Sequence, residues 1–496
     1  MLCPAQPRAR AQLVSLLGIT PYEHQAQAAA MMLARFETVG SFGLLHEIGL
    51  GKSLTMLGAF AILQRQGEAN TMLVVCPSSV IGSWEREAAN VIRRTGHALE
   101  VLPLTGPVAK REAKLQHALL MRSTSGTRAP LLVVTNYEAV WRMEETLRTA
   151  RFDVIACDES QRIKAPGSKQ SRSMHRIGRT AKYRAIMSGT PLPEGPLDIY
   201  GQARFFDEKL FGTSHVSFRA RYAVEVDLGT FRKVVGTKNL DELESKMMSR
   251  SHLATKSDAL DLPPEVDTLI EFELSPKARR IYDQVAKDCL AEIEDEFGSI
   301  GEVVAETVLT KLLRLQQITS GFAKLDDTDE LLPVDDGKLR VLRETLEDVL
   351  DAGGKAVVFH RFTRDGDQIR TLADKLAGSQ QPYINGSVPG SERGEMVRRL
   401  QEDSDSRIFI AQIQAAGLGV TLTAANTSIF YSVGYSGADY EQARGRTHRI
   451  SQESKVTHIH LSAKNTVDEH ILEALIAKRR ISEEVTSGAW RRYLGG

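Results

Sequence analysis

His46-Glu-Ile-Gly-Leu-Gly-Lys-Ser53 follows the short apolar run Phe42-Gly-Leu-Leu45, which reads as a strand end. It precedes Leu54-Thr-Met-Leu-Gly-Ala-Phe-Ala-Ile-Leu63, which reads as a helix. Strand, glycine-rich turn, lysine, hydroxyl and helix, in that order, make a phosphate-binding loop. Gly49 and Gly51, on either side of Leu50, let the backbone turn so that successive N–H groups point at phosphate oxygens. The helix N-terminus adds partial positive charge behind them. Lys52 would reach the β- and γ-phosphates and the Ser53 hydroxyl would ligate Mg²⁺, so ATP and Mg²⁺ are the expected cofactors. His46 stands where the strict pattern has glycine. A glycine-rich turn capped by a helix would look similar by itself, so the rest of the chain has to decide.

Phe152-Asp-Val-Ile-Ala-Cys-Asp158-Glu159 reads as a strand ending in paired carboxylates. In a nucleotide hydrolase, Asp158 would hold Mg²⁺ through water and Glu159 would polarise the water that attacks the γ-phosphate. Ligands bind at such strand ends in open parallel sheets. Ser188-Gly-Thr190-Pro191 ends another strand, where small hydroxyl residues can relay nucleotide state. In Gln442-Ala-Arg-Gly-Arg446-Thr-His-Arg449-Ile-Ser-Gln452, a helix would put Gln442, Arg446 and Arg449 on one face. That face suits a triphosphate presented across a cleft, with arginine serving the transition state.

The 496 residues suggest about three domains. Hydrophobic content of 42% and charged content of 25% fit a soluble globular chain. No apolar run approaches the roughly 20 residues that span a bilayer, and the N-terminus lacks a signal-peptide core. Four scattered cysteines without a CxxC pair argue against a zinc site or a disulfide framework, and Cys76 and Cys157 read as buried core thiols. Lysine plus arginine equals aspartate plus glutamate at 63 each, which excludes a uniformly basic coat but allows a local basic groove.

The expected fold class is α/β, with two parallel-sheet domains in tandem and a mainly helical insertion between them. Residues 1–18 read as a leader, with Thr20 capping the following helix. Residues 19–207 read as the first α/β domain, 208–335 as a helical protrusion and linker, 336–466 as the second α/β domain, and 467–496 as a basic bracing helix. First-domain strands are expected at Met72–Cys76, Leu131–Val134, Val154–Cys157 and Arg184–Met187. In the second they are expected at Ala356–His360, Tyr383–Ile384, Arg407–Ala411, Thr427–Tyr431 and Val456–Leu461. Residues 262–275 alternate like one exposed strand. Leu325–Glu330 reads as a solvated acidic loop.

Taken together these stretches resemble the Swi/Snf-type ATPases of helicase superfamily 2, over about Pro21 to Ile481, and the resemblance implies that the two parallel-sheet domains are RecA-like. Pro21-Tyr-Glu-His-Gln25 resembles the adenine-reading glutamine motif, and His46–Ser53 the phosphate loop DEMGLGKT. Val75–Trp84 resembles a strand-touching CPxSxxxxW segment. Val134-Thr-Asn-Tyr-Glu138 resembles a second strand-contacting motif. Asp158-Glu-Ser-Gln161 stands where the family has DEAH, with Gln161 replacing His, and Arg162–Lys169 resembles RIKNPxSK. Later, Leu313–Ile318 resembles LLRLRQI, Gly337-Lys-Leu339 resembles SGKL, and Gln414–Ala425 resembles RAGGLGINLTAA with Gln414 in place of Arg. Gln442–Gln452 is similar to QAIDRAHRIGQ.

The resemblance implies a nucleotide site of Gln25, Gly49, Leu50, Gly51, Lys52, Ser53, Gly417 and Gln442. Catalysis falls to Lys52, Asp158, Glu159, Arg446 and Arg449, with Ser53 and Asp158 at the metal. Nucleic-acid contacts are implied for Ser78, Ser79, Trp84, Thr135, Asn136, Lys164, Arg361 and Gln414. The activity implied is a DNA-dependent ATPase that translocates along duplex DNA without full strand separation. Its form is that of a minimal, monomeric motor of bacterial or bacteriophage type in the cytoplasm. A strand-separating DNA or RNA helicase is the alternative within the superfamily. A non-catalytic ATP-switch recruitment subunit is the alternative outside it.

Overall fold

The structure, a computed structural model, describes residues 6–126, 129–193, 195–227, 232–259, 263–296, 302–324, 331–414, 420–449 and 452–487. The chain divides into two compact units, Met1–Asp261 with Arg480–Gly496, and Leu262–Arg479.

The first unit carries β1 (Ser41–His46), β2 (Thr71–Cys76), β3 (Glu100–Pro103), β4 (Leu131–Asn136), β5 (Val154–Asp158), β6 (Tyr183–Met187), β7 (Ala223–Asp227), β8 (Arg232–Thr237) and β9 (Ser251–Ala254). Seven of them form one sheet in the order β3-β4-β2-β5-β6-β1-β9, with every pairing parallel. Alternate residues of its strands enter separate cores. Leu44, Met72, Val74, Leu132, Val134, Val154 and Ala156 belong to one cluster. Leu45, Leu73, Val75, Leu131, Val133, Ile155 and Cys157 belong to the other. Burial on both faces is why these strands read as continuous apolar runs. Cys76 and Cys157 are free, buried thiols, as expected. β7 and β8 form a separate antiparallel hairpin.

The second unit carries β10 (Glu265–Phe272), β11 (Phe322–Lys324), β12 (Leu331–Pro333), β13 (Ala356–His360), β14 (Tyr383–Ile384), β15 (Ile408–Gln412), β16 (Thr427–Phe430) and β17 (Val456–Ala463). Its sheet runs β10-β17-β16-β13-β15-β14, again all parallel, and β11 pairs with β12. The strands expected in the two α/β domains all form, within two residues at either end, and the exposed strand expected over 262–275 forms as the shorter β10. Gly337-Lys-Leu339 opens the helix Gly337–Asp351, where Lys338 is buried and ion-paired to Asp468 at 2.6 Å, with Thr319 donating to the same carboxylate at 2.8 Å. The Asp468 carboxylate therefore ties three helices together.

Four expectations need correction. Residues 6–17 form a helix, and Leu13, Leu16 and Leu17 lie inside the first core, so this stretch is no leader. Its fit is close, since a Cβ on Gly58 would lie 2.4 Å from Leu13 Cδ2. The next helix, Glu23–Val39, is capped by Tyr22 rather than Thr20, in a reciprocal box with Gln25. Residues 208–335 do not form one helical body, because β9 completes the first sheet, β10 edges the second, and the boundary between units falls at Asp261. β3 and β9 are short strands of four residues, with too little apolar sequence to announce themselves. The C-terminal helix is described over Val467–Ser487, where acidic residues outnumber basic ones, so this part is not basic as expected, and it gives Val467, Ile471 and Leu475 to the second core. Leu325–Glu330 lies outside the described residues.

Leu13→Ala should cost about 2–5 kcal/mol, the usual penalty for truncating a fully buried leucine. Denaturant unfolding measures it, and a change below about 0.5 kcal/mol, as at an exposed site, would return residues 6–17 to the status of a leader.

Candidate functional site

In the first sheet β5, β6 and β1 are neighbours and parallel, so the loops that follow them leave the same edge side by side. These loops hold the paired acids, the Ser188–Pro191 turn and the glycine-rich loop. Gly49 has φ +97° and Gly51 φ +76°, conformations open to glycine at little cost. Gly51 also has no room for a side chain, because a Cβ there would meet Gln25 Nε2 at 2.3 Å. The helix Lys52–Arg65 starts directly from this turn. Lys52 is buried and its Nζ donates to the His46 carbonyl at 2.9 Å, which holds the ammonium across the mouth of the loop. Ser53 is half-buried in the helix's first turn.

Gln25 is tied to the same loop. Its Nε2 donates to the Leu50 carbonyl at 3.1 Å, and its Oε1 accepts the Tyr22 N–H at 3.1 Å. His24 Nε2 also lies 3.0 Å from the Leu50 carbonyl. With both ends of its amide engaged and only 4% of its surface exposed, Gln25 braces the phosphate loop. That corrects the expectation of an amide facing a base.

The acids sit at the end of β5. Asp158 is 5% exposed, with Oδ2 accepting the Trp84 indole N–H at 2.9 Å and Oδ1 accepting the Glu159 N–H at 3.1 Å. Burial, then the Glu159 charge, push its pKa up to about 6, while Lys52 and the Trp84 bond oppose the rise. Glu159 adopts φ +53°, a left-handed conformation costly for a side-chain-bearing residue. Gln161 fixes it there. Gln161 Nε2 donates to Glu159 Oε2 at 2.9 Å, and Gln161 Oε1 accepts the Ser188 hydroxyl at 2.7 Å. Gln161 Nε2 also reaches Thr190 Oγ1 at 3.5 Å, and Ser188 Oγ accepts the Thr190 N–H at 3.0 Å. A Cβ on Gly189 would come within 3.0 Å of the Ile48 nitrogen, so this turn lies against the phosphate loop. Ser160 and Gln202 extend the network to the Pro191 carbonyl at 2.6 Å.

Two adjacent carboxylates whose charges oppose each other, beside a hydroxyl-bearing helix start, fit a hard divalent cation. Among the described residues no three acidic, histidine or cysteine side chains converge as a metal cage. Mg²⁺ needs only one or two protein ligands and keeps water and phosphate for the rest, so Ser53 and Asp158 suffice.

The expected nucleic-acid residues divide. Ser78 and Gln414 are exposed, and Lys164 pairs with Asp198 at 3.4 Å. Trp84 is corrected: its ring is fully buried and its one donor belongs to Asp158, so it supports that carboxylate and has no surface for a strand. Thr135 is likewise fully buried, while Asn136 accepts from Arg111 at 2.5 Å and donates to Glu138 at 2.7 Å. Arg111, half-buried on the helix Val108–Ser125, is the side chain that sequence reading missed here, and nothing in its neighbourhood of the sequence marks it. Arg361 Nη1 donates to Gln316 Oε1 at 2.5 Å, which joins the Leu313–Ile318 stretch to the end of β13. The side chain of Ser79, and Gly417 altogether, lie outside the described residues.

In the second unit, Gln442 and Arg446 lie on the helix Gly437–Thr447, half-buried and buried respectively. Arg449 does not share their helical face, because the helix ends at Thr447. Gln452 Nε2 donates to the carbonyls of Thr447, Thr423 and Ala425 at 3.0–3.2 Å, and this turns the chain away after the helix. Arg449 Nη1 lies 3.4 Å from the Val420 carbonyl. Arg444, also missed, is buried and paired with Glu265 and Asp267, which fastens this helix to the edge strand β10.

The chain belongs to the SNF2 family: residues 24–321 match the SNF2-related domain, and residues 337–451 match the helicase conserved C-terminal domain. Among similar curated proteins, the Chromodomain-helicase-DNA-binding protein 1-like of Mus musculus is 25% identical over 95% of this chain and 51% of its own. The ATP-dependent helicase fft2 of Schizosaccharomyces pombe is 24% identical over 91% of this chain and 40% of its own. The chain thus spans about half the length of the curated relatives it matches. A Sulfolobus solfataricus SWI2/SNF2 ATPase core in complex with dsDNA aligns over 95% of this chain and 94% of its own, at 23% identity and a TM-score of 0.44.

If Asp158 serves a cation it must be ionised to do so, and with its pKa pushed up to about 6 the affinity for Mg²⁺–ATP should fall as the pH drops through that value. Trp84→Phe removes a bond that favours the carboxylate, so this acid limb should move to higher pH by up to about one unit. Calorimetric titrations with Mg²⁺–ATP between about pH 5 and 8 check both, and superimposable limbs would show that the indole bond does not tune Asp158.

Proposed function

We propose that the protein is a DNA-dependent ATPase that couples hydrolysis to translocation along duplex DNA, remodelling DNA or protein–DNA complexes without full strand separation. The observation that carries this reading is the connection of the acid that would handle water, Glu159, through Gln161 to Ser188 and Thr190. A nucleotide switch without turnover has no use for an oriented second carboxylate beside Asp158. The SNF2-related and helicase C-terminal matches supply the duplex-DNA context.

The roles follow from the chemistry of each group. The loop N–H groups and Lys52 bind the phosphates, and the Lys52 ammonium leaves the His46 carbonyl to do so. Ser53 and Asp158 would hold Mg²⁺, which neutralises charge on the phosphates when bound. Glu159 accepts a proton from the attacking water, and Gln161 orients that carboxylate. We assign to Arg446 and Arg449 the stabilisation of charge gathering on the transferred phosphoryl group. Ser78, Lys164 and Gln414 are proposed contacts to the DNA backbone, where phosphate rather than base recognition dominates. No helix among the described residues is long and apolar enough to cross a membrane. We also read the chain as a monomeric cytoplasmic motor of the bacterial or bacteriophage kind.

ATP hydrolysis measured with no polymer, duplex DNA, single-stranded DNA and RNA tests this function. Duplex DNA should stimulate most, with binding that weakens steeply in salt, at a log–log slope of about −0.9 per phosphate contacted. Stronger stimulation by RNA would replace the duplex assignment. Glu159→Gln should retain ATP binding and lose about 10²–10⁴-fold in turnover. Near-normal hydrolysis by that folded variant would remove Glu159 from the chemistry.

Arg449→Lys keeps the charge and loses the planar fork. It should leave ATP and DNA affinities nearly intact and lower DNA-stimulated turnover by about 10²-fold or more. Lost ATP affinity at normal maximal rate would make Arg449 a ground-state binding residue instead.

A further inference from the structure

His46, the first residue of the phosphate loop, is fully buried at the end of β1, and its environment comes from β9. Its Nε2 lies 2.8 Å from His252 Nδ1, with the two rings edge to face at 5.1 Å. The His24 ring stands 5.5 Å away on another side. The backbone beside it is clasped too. The Glu47 N–H donates to the Ala254 carbonyl at 2.9 Å, and the Lys256 N–H donates to Glu47 Oε2 at 2.7 Å. Lys256 Nζ lies 3.7 Å from the other oxygen of Glu47. Further back along β1, the approach is so close that a Cβ on Gly43 would meet Ser251 Oγ at 2.3 Å.

From this geometry we propose that His252 is a positioning residue for the nucleotide: Ser251–Lys256 clasps the first two residues of the phosphate loop, and the His252–His46 bond sets the His46 carbonyl that holds Lys52. The proposal rests on reading residues 46–53 as an ATP site. The His46 carbonyl receives the Lys52 ammonium at 2.9 Å, so its direction decides where the phosphate-binding charge waits. A freely rotating backbone at His46 would leave that charge unplaced. The imidazole pair can supply one N–H···N bond only while at least one ring is neutral. Burial lowers the pKa of both rings, that of His252 to about 4, so neither competes with Lys52 as a cation at neutral pH. Among the described residues His46 Nδ1 is buried without a hydrogen-bond partner, and His252 is the side chain hydrogen-bonded to that ring. β9 was invisible in the sequence because its four residues carry little apolar pattern, yet it contributes the contact that the loop's unusual first residue requires.

His252→Asn keeps a hydrogen-bonding group near the Nδ1 position, whereas His252→Leu fills similar space without one. If the bond positions Lys52, His252→Leu should raise KM for ATP about tenfold, the effect of leaving one buried polar partner unmet, with a smaller change in kcat. His252→Asn should recover most of that loss. An unchanged KM in His252→Leu, or equal impairment of both variants at equal thermal stability, overturns the proposal in favour of plain packing. The wild-type protein supplies a test independent of any variant. Hydrogen exchange at the Glu47 and Lys256 amides, with and without AMP-PNP and Mg²⁺, should slow at both together. Slowing at Glu47 alone overturns the clasp. A wild-type protein that binds no AMP-PNP overturns the ATP-site reading itself, and the clasp with it.

Discussion

The position of one carboxylate, Glu159, governs what this site can do. It stands on a left-handed residue at the end of β5, a conformation that costs on the order of 1–3 kcal/mol unless its surroundings fix it. The Gln161 amide fixes it with a bond of 2.9 Å, and the same amide accepts the Ser188 hydroxyl at 2.7 Å. A strained acid held by a side chain that also reads the neighbouring loop is a switch element. Displacement of the Ser188–Pro191 turn must alter the aim of Glu159. Asp158 is held separately by the Trp84 indole, so the two carboxylates have different supports.

The fold makes this arrangement possible by placing β5, β6 and β1 side by side and parallel. Three loops from distant parts of the sequence then leave the same edge of the sheet, and Gly189 lets two of them touch. Two cores, one on each face, hold the strands rigid, so small movements are confined to the loop edge. The same logic builds the second unit, where Lys338–Asp468 and Arg444 with Glu265 and Asp267 fasten helices to one another and to the edge strand. These pairs, with Lys338 and Arg444 buried, hold the frame on which Gln442, Arg446 and Arg449 are displayed.

Much of this was legible in the sequence. Continuous apolar runs bounded by turn residues marked nearly every long strand, because burial on both faces leaves no polar alternation. The glycine-rich loop and the strand-end acids were readable because phosphate binding constrains residue type at each position. What escaped was carried by single contacts between distant segments. Trp84 and Thr135 were expected at a DNA surface, and the structure spends both inside the first unit. The helical spacing of Arg449 failed because Gln452, three residues on, draws the backbone off the helix axis. Residues 6–17 were taken for a leader since polar and basic residues break up their apolar pattern, yet three leucines reach the core. β9 was too short to carry a pattern at all.

Under the proposed function, duplex DNA controls hydrolysis through the Ser188–Gln161–Glu159 connection. Steady-state ATP turnover, with and without duplex DNA, of the wild type, Gln161→Ala, Ser188→Ala and the double variant tests it most directly. If the connection carries the coupling, duplex DNA stimulates the wild type, each single variant loses most of that stimulation, and the double variant is no worse than either. Additive losses in the double variant, or a wild-type rate indifferent to duplex DNA, would contradict it.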